Sequence, residues 1–96
     1  MGKGATLIGG ETVSEQKVGV VTHYFGHVNV AAIMLEDELD VGDQIHIVGH
    51  TSDFTETVES MQLEHEKVEV GKKGDEIAIR VVEHAREHDE VFKVTA

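Results

Sequence analysis

Apolar and polar positions alternate along this chain in short runs separated by turn residues, the pattern of strands half buried against a core. From Lys17 to Phe25 both parities carry β-branched or aromatic residues, as in a strand of a small barrel, and Gly19 relieves crowding where strands cross closely. Val28 to Leu35 resumes the run. Tyr24 to Val28 therefore reads as a hairpin connection in which Gly26 supplies the unusual dihedral. After the acidic loop Glu36-Asp37-Glu38, the stretch Leu39 to Ile47 predicts a turn at Gly42-Asp43 and then a strand to about Val48, with Ile45 and Ile47 inward.

Gly49 to Asp53 is a second turn cluster, and Phe54 to Leu63 reads as the longest strand. Its parity changes between Phe54/Val58 and Met61/Leu63, which predicts a β-bulge near Glu59 or Ser60. A short strand at Val68 and Val70, a turn at Gly71 to Asp75, and an alternating strand through Ile77, Ile79 and Val81 follow. The last strand, Val91 to Thr95, is expected to turn Phe92 and Val94 inward. Helix is confined to Glu83–His88, too short to be stable alone. Met1 to Gln16 carries Gly2, Gly4, Gly9 and Gly10 without a sustained period and reads as a disordered N-terminal tail, leaving 17–96 as a single domain. The resulting fold class is all-β: a small closed or nearly closed antiparallel β-barrel of roughly six to seven strands.

Composition narrows the function classes. The 8 Lys and Arg against 19 Asp and Glu give a formal charge of −11, so a nucleic-acid backbone meets net repulsion and broad nucleic-acid binding is not expected. There are no cysteines, which excludes disulfides, thiolate metal sites and a thiol nucleophile. No long apolar run or signal-like block occurs, so no membrane association is expected and a cytoplasmic location is the default reading. Protonating all 7 histidines would move the formal charge from −11 to −4, since −11 + 7 = −4.

Four motifs in order resemble a known family. Val18-Gly19-Val20-Val21, Leu39 to Ile45, Val58 to Gln62 and Gly74 to Ile79 are similar to the β-barrel domain II of translational GTPases such as elongation factor Tu and initiation factor 2, and to small stand-alone elongation-factor-like proteins. The closing Arg86 to Val94 is similar to the end of that barrel in the small proteins and in the C-terminal domain of U32-type peptidases, except that His88 stands where those relatives carry Gly. The resemblance implies a non-catalytic binding module that contacts the translation machinery: ribosome, tRNA or a factor. With no phosphate loop in the chain, GTPase activity of its own is not expected.

Candidate chemistry is sparse. His23/His27, His46/His50 and His84/His88 are each four residues apart, but in a strand that spacing is about 13 Å, too far for one ion. A histidine-based metal site stays open only where the chain turns or coils, and no metal or cofactor is assigned. The serines lie in no nucleophile elbow, so no catalytic residue is assigned. The exposed strand ends of a barrel rim carry function more often than its walls. His23, Tyr24, His27, His50, Thr51 and Asp53 are therefore the expected partner-contact residues, with Lys72 and Lys73 as cations at a hairpin tip. The partner expected is a protein or ribonucleoprotein. An accessory or homo-oligomeric protein unconnected with translation, and a histidine-based metal binder, stand as alternatives.

Overall fold

The structure, a computed structural model, describes residues 5–8 and 11–95. The strands are β1 (Ala5–Ile8), β2 (Glu11–Phe25), β3 (Val30–Leu35), β4 (Leu39–Asp40), β5 (Gln44–Val48), β6 (Asp53–Thr57), β7 (Met61–Leu63), β8 (Glu66–Val68), β9 (Val70–Gly71), β10 (Glu76–Arg80) and β11 (Glu90–Thr95). The fold is all-β, and the described pairs are antiparallel. The main sheet runs β6-β5-β11-β2-β3-β10-β7-β8 with β1 added to β2, while β4 and β9 form a separate two-stranded ladder.

Two expectations change here. Among the described residues eleven strands replace six or seven and no pair joins β6 to β8, so the sheet is not a hydrogen-bonded closed barrel. The cause lies at Val58. Its N–H donates to Asp43 O at 2.9 Å and its carbonyl accepts the Gly42 N–H at 2.8 Å, which draws the chain out of β6 toward another turn. The expected bulge near Glu59 or Ser60 is therefore a break between β6 and β7, and the parity restarts at Met61. Register shifts occur instead between Val21 and His23 and between Val91 and Phe92. Val91 is fully buried beside the second shift and Phe92 is buried as expected, while Val94 is only half buried.

The core forms where the alternation placed it. Ile33, Ile45, Ile47, Ile77 and Val91 are fully buried, each contributing about 1.5–3 kcal/mol relative to exposure. Gly19 faces Leu35 of β3 in a close crossing, where a methyl group would lie 2.7 Å from Met34 O and 2.8 Å from Ile33 Cγ2. The β2–β3 turn takes its left-handed residue at Asn29 (φ 56°), not at Gly26. The strand expected to start at Lys17 starts at Glu11. Of the expected tail, residues 5–8 and 11–16 are strand, and residues 1–4, 9 and 10 lie outside the described residues.

One turn is used three times. In Asp40–Asp43, Lys72–Asp75 and Arg86–Asp89, the fourth residue's N–H donates to the first residue's carbonyl at 3.0, 2.9 and 3.1 Å. The fourth residue is Asp each time, and its Oδ2 accepts the first residue's N–H at 2.8, 3.0 and 2.8 Å. The third residue has positive φ: Gly42 at 101°, Gly74 at 92° and His88 at 77°. Each turn leads directly into a strand, β5, β10 or β11. The Gly expected before Asp89 is thus a conformational requirement that His88 meets at a steric cost. Among the described residues there is no helix: Glu83–His88 is an irregular loop that runs into the Arg86–Asp89 turn, and no helix is long and apolar enough to cross a membrane.

Candidate functional site

Register puts three connections at one end of the sheet. Phe25 pairs with Val30, Val30 with Arg80, Val20 with Glu90, Glu90 with Val48, and Val48 with Asp53. The β2–β3 turn, the β5–β6 turn and the loop from Val81 to Asp89 therefore share an end. Lys72 and Lys73 do not join them: Gly74 N–H donates to Leu35 O at 2.9 Å, which anchors their turn at the opposite end of β3.

The Val81–Asp89 loop ties the two rim turns together. Val81 N–H donates to Asn29 O at 2.8 Å, Val21 N–H to Asp89 O at 2.8 Å and His88 N–H to Val21 O at 2.9 Å. Ala85, fully buried, plugs the end of the core. His84 stacks on Tyr24 with ring centroids 4.4 Å apart, and the Tyr24 hydroxyl donates to Asn29 Oδ1 at 3.0 Å. His23 sits 4.3 Å from the Phe25 ring by centroid, and its Nδ1 lies 3.4 Å from Glu87 Oε2. On the other side Asp89, itself buried, turns its carboxylate onto Gly49, where a methyl group would fall 1.8 Å from Oδ1. This end also exposes apolar surface: Phe25 is 47% and Val28 54% exposed. The expected contact residues His23, Tyr24, His27, His50, Thr51 and Asp53 lie here, together with Phe25, Val28, His84, Glu87 and Asp89, which were not among them. The signal for the last was the repeated Asp after a turn.

The rings of His23 and Phe25 also wall a shallow outer groove of about 280 Å³ over Ala32 and Ala78, with Gln62, Glu64 and His65 opposite. Glu64 and His65 form the β7–β8 hairpin turn with φ of 52° and 69°, conformations that Asn and Gly adopt more cheaply. His23 and His84 are engaged as above, and His46 lies between two carboxylates on opposite sides, Nε2 2.6 Å from Asp53 Oδ1 and Nδ1 3.0 Å from Glu15 Oε2. Among the described residues no three His, Asp or Glu side chains gather as metal ligands.

His46 pins β2, β5 and β6. Partial burial alone would lower its pKa, but the hydrogen bonds to Asp53 and Glu15 and their charges outweigh it and hold the pKa above the ordinary 6.5. A raised folded-state pKa stabilises fully below about 6.5, and the contribution is lost as pH rises through the folded value. Urea midpoints of the parent chain should therefore exceed those of His46→Gln at pH 6. The gap should narrow above about pH 6.5 as the imidazolium deprotonates. A gap independent of pH would show that His46 contributes as a neutral ring.

Comparison with known proteins places this geometry. No protein-family model matches the chain. An uncharacterized protease of Methanocaldococcus jannaschii is 38% identical over 77 residues, covering 79% of this chain and 19% of that protein. A collagenase of Porphyromonas gingivalis is 35% identical over 86 residues, covering 88% of this chain and 24% of that protein. The chain thus spans about a fifth of the length of the curated relatives it matches. Two crystal structures of the C-terminal domain of a Geobacillus thermoleovorans protein assigned to the U32 peptidases superpose with TM-scores of 0.76, each over 79% of this chain. One, the selenomethionine variant, is 15% identical and covered over 96% of its length; the other is 16% identical and covered over 89%. At that identity the superposition shows a shared fold.

These findings overturn the translation-factor reading. The relatives carry protease and collagenase names, and the matching fold is a peptidase C-terminal domain, so the elongation-factor resemblance and the translation role drawn from it are set aside. Two of the four motifs that carried it, Leu39 to Ile45 and Gly74 to Ile79, hold copies of the repeated turn. The expectation that the chain is not an enzyme is corrected to this extent: its relatives carry enzyme names, protease and collagenase. Only the similarity of Arg86 to Val94 to the U32 C-terminal domain pointed in this direction.

Proposed function

We propose that this chain is a protease-associated β-domain that docks onto the catalytic region of a U32-type peptidase through the end built by the β2–β3 turn and the Val81–Asp89 loop. The observation that carries the reading is the exposed apolar pair Phe25 and Val28 on a rigidly braced rim. In the relatives the matched segment makes up about a fifth of a longer protease, so a surface facing the rest of that protein is what such a segment requires. Apolar side chains at the centre with charged ones around them fit that use. The charge of −11 favours a basic facing surface and an association that weakens with salt.

The test is association in trans. A U32 catalytic region lacking its own C-terminal domain should bind this chain in calorimetry at low salt, and Phe25→Ser with Val28→Ser should weaken binding by about tenfold or more while leaving the melting temperature in place. No heat of binding with the parent chain, or equal binding by the double variant, would remove this end from consideration.

A further inference from the structure

The sheet has a gap that no strand of the described chain fills. β6 is hydrogen-bonded along one side only, to β5. β10 is paired with β3 over all of Glu76–Arg80, but with β7 only at Ile77 and Ala78, so Ile79 and Arg80 keep an open edge. Between these edges lies a groove of about 500 Å³ lined by Glu56, Thr57, Glu59, Ser60, Arg80 and Val82. That volume lies within the range of ligand-binding clefts. One contact crosses it: Val82 N–H donates to Glu56 Oε1 at 2.8 Å.

Glu56 is the anomaly. It shares the core-facing parity of Phe54 and Val58, both buried, yet it is a carboxylate. Burial first, and then the charge of Glu59, push its pKa up, against the pull of the Val82 N–H. Glu59 and Arg80 line the same groove, and among the described residues Arg80 forms no ion pair. Val82 adds an apolar rim, 71% exposed.

We propose that this groove accepts an extended polypeptide segment bearing lysine or arginine, which adds as a strand between β6 and the end of β10 and sets a cationic side chain against Glu56 and Glu59. Main-chain hydrogen bonds to two open edges supply affinity, and alternate side chains supply selectivity, as in other strand-addition sites. A cation between the two carboxylates relieves the repulsion that Glu59 exerts on Glu56, while Arg80 and Val82 line the groove for a carbonyl oxygen and an apolar side chain of the guest. A second copy of this chain does not fit. Pairing two β6 edges would set two acidic strands, each with Asp53 and Glu56, side by side on molecules that each carry −11. This goes beyond the docking reading and stands whether or not the rim binds a catalytic region.

The experiment uses the full chain and a fluorescein-labelled peptide alternating lysine and valine, with binding read by anisotropy at low salt. Saturable binding is expected, with slowed amide exchange at Glu56, Thr57 and Ile79 to Val82. Glu56→Gln with Glu59→Gln keeps an acceptor for Val82 N–H and should weaken binding about tenfold. A peptide of the same charge with alternate backbone nitrogens methylated should weaken it to a similar degree, because strand addition needs those donors. Absence of binding, equal binding by the methylated peptide, insensitivity to the double substitution, protection confined to the rim, or self-association through β6 would each overturn the proposal.

Discussion

Replacing Asp89 with alanine is expected to destabilise the chain by about 2–4 kcal/mol, because a buried acceptor is lost from a turn that needs it. Its Oδ2 holds the Arg86 N–H at 2.8 Å, and the residue is only 3% exposed. Its backbone joins β2, where Asp89 O accepts the Val21 N–H at 2.8 Å, so loosening the turn frees the start of β11. Gly49→Ala should cost a comparable amount for the opposite reason, overfilling: the new methyl would meet Asp89 Oδ1 at 1.8 Å and Cγ at 2.6 Å. The two changes should not add. Removing the carboxylate opens the space that the methyl needs, so the double variant should fall short of the sum by about 1–2 kcal/mol, measured by urea denaturation of all four chains. Additive costs would mean that Asp89 does not press on Gly49 and that the Val81–Asp89 loop is held by its other hydrogen bonds alone.

What was legible in the chain were its local rules. Gly42-Asp43 and Gly71 to Asp75 marked turns, and Ile45/Ile47 and Ile77/Ile79 marked core faces, because each depends on residues within a few positions. Non-local effects were hidden. The break after Thr57 is set by a hydrogen bond from Val58 to a turn fifteen residues earlier, 58 − 43 = 15, and no period within 54–63 reveals it. The open seam depends on which strands fail to pair, a property of the whole register. The third copy of the turn was disguised because His88 occupies the left-handed position that Gly fills in the other two. Part of the proposed docking end was visible because turn residues collect there; the remainder, Phe25 above all, reads as core until the bulge at Thr22 turns it outward. The translation-factor likeness failed for a physical reason as well: a Gly-Asp turn feeding an amphipathic strand identifies a way of starting strands, not a function.

Gly19→Ala should be about as damaging as the loss of Asp89, at about 2–3 kcal/mol, and for a cause that sits in the backbone. The added methyl meets Met34 O at 2.7 Å and Ile33 Cγ2 at 2.8 Å. Neither can retreat cheaply. β3 is tied on its far side to β10 from Val30 through Met34, and Ile33 is fully buried among the core side chains. The gain from a less flexible unfolded chain, about 0.4–1 kcal/mol for Gly to Ala, offsets only part of this. Gly26→Ala is the matched control, since its nearest neighbour would be Tyr24 Cε2 at 3.7 Å and its φ is not positive. It should leave stability within about 0.5 kcal/mol of the parent. In thermal melts the two variants should differ by about 10–20 °C. The same strand carries His23, Tyr24 and Phe25 beyond the crossing, so a β3 pushed outward at Gly19 would also tilt the rim. Loss of trans association by Gly19→Ala at a temperature where it is still folded would place the β2–β3 crossing among the determinants of docking, whereas unchanged association would confine its role to stability.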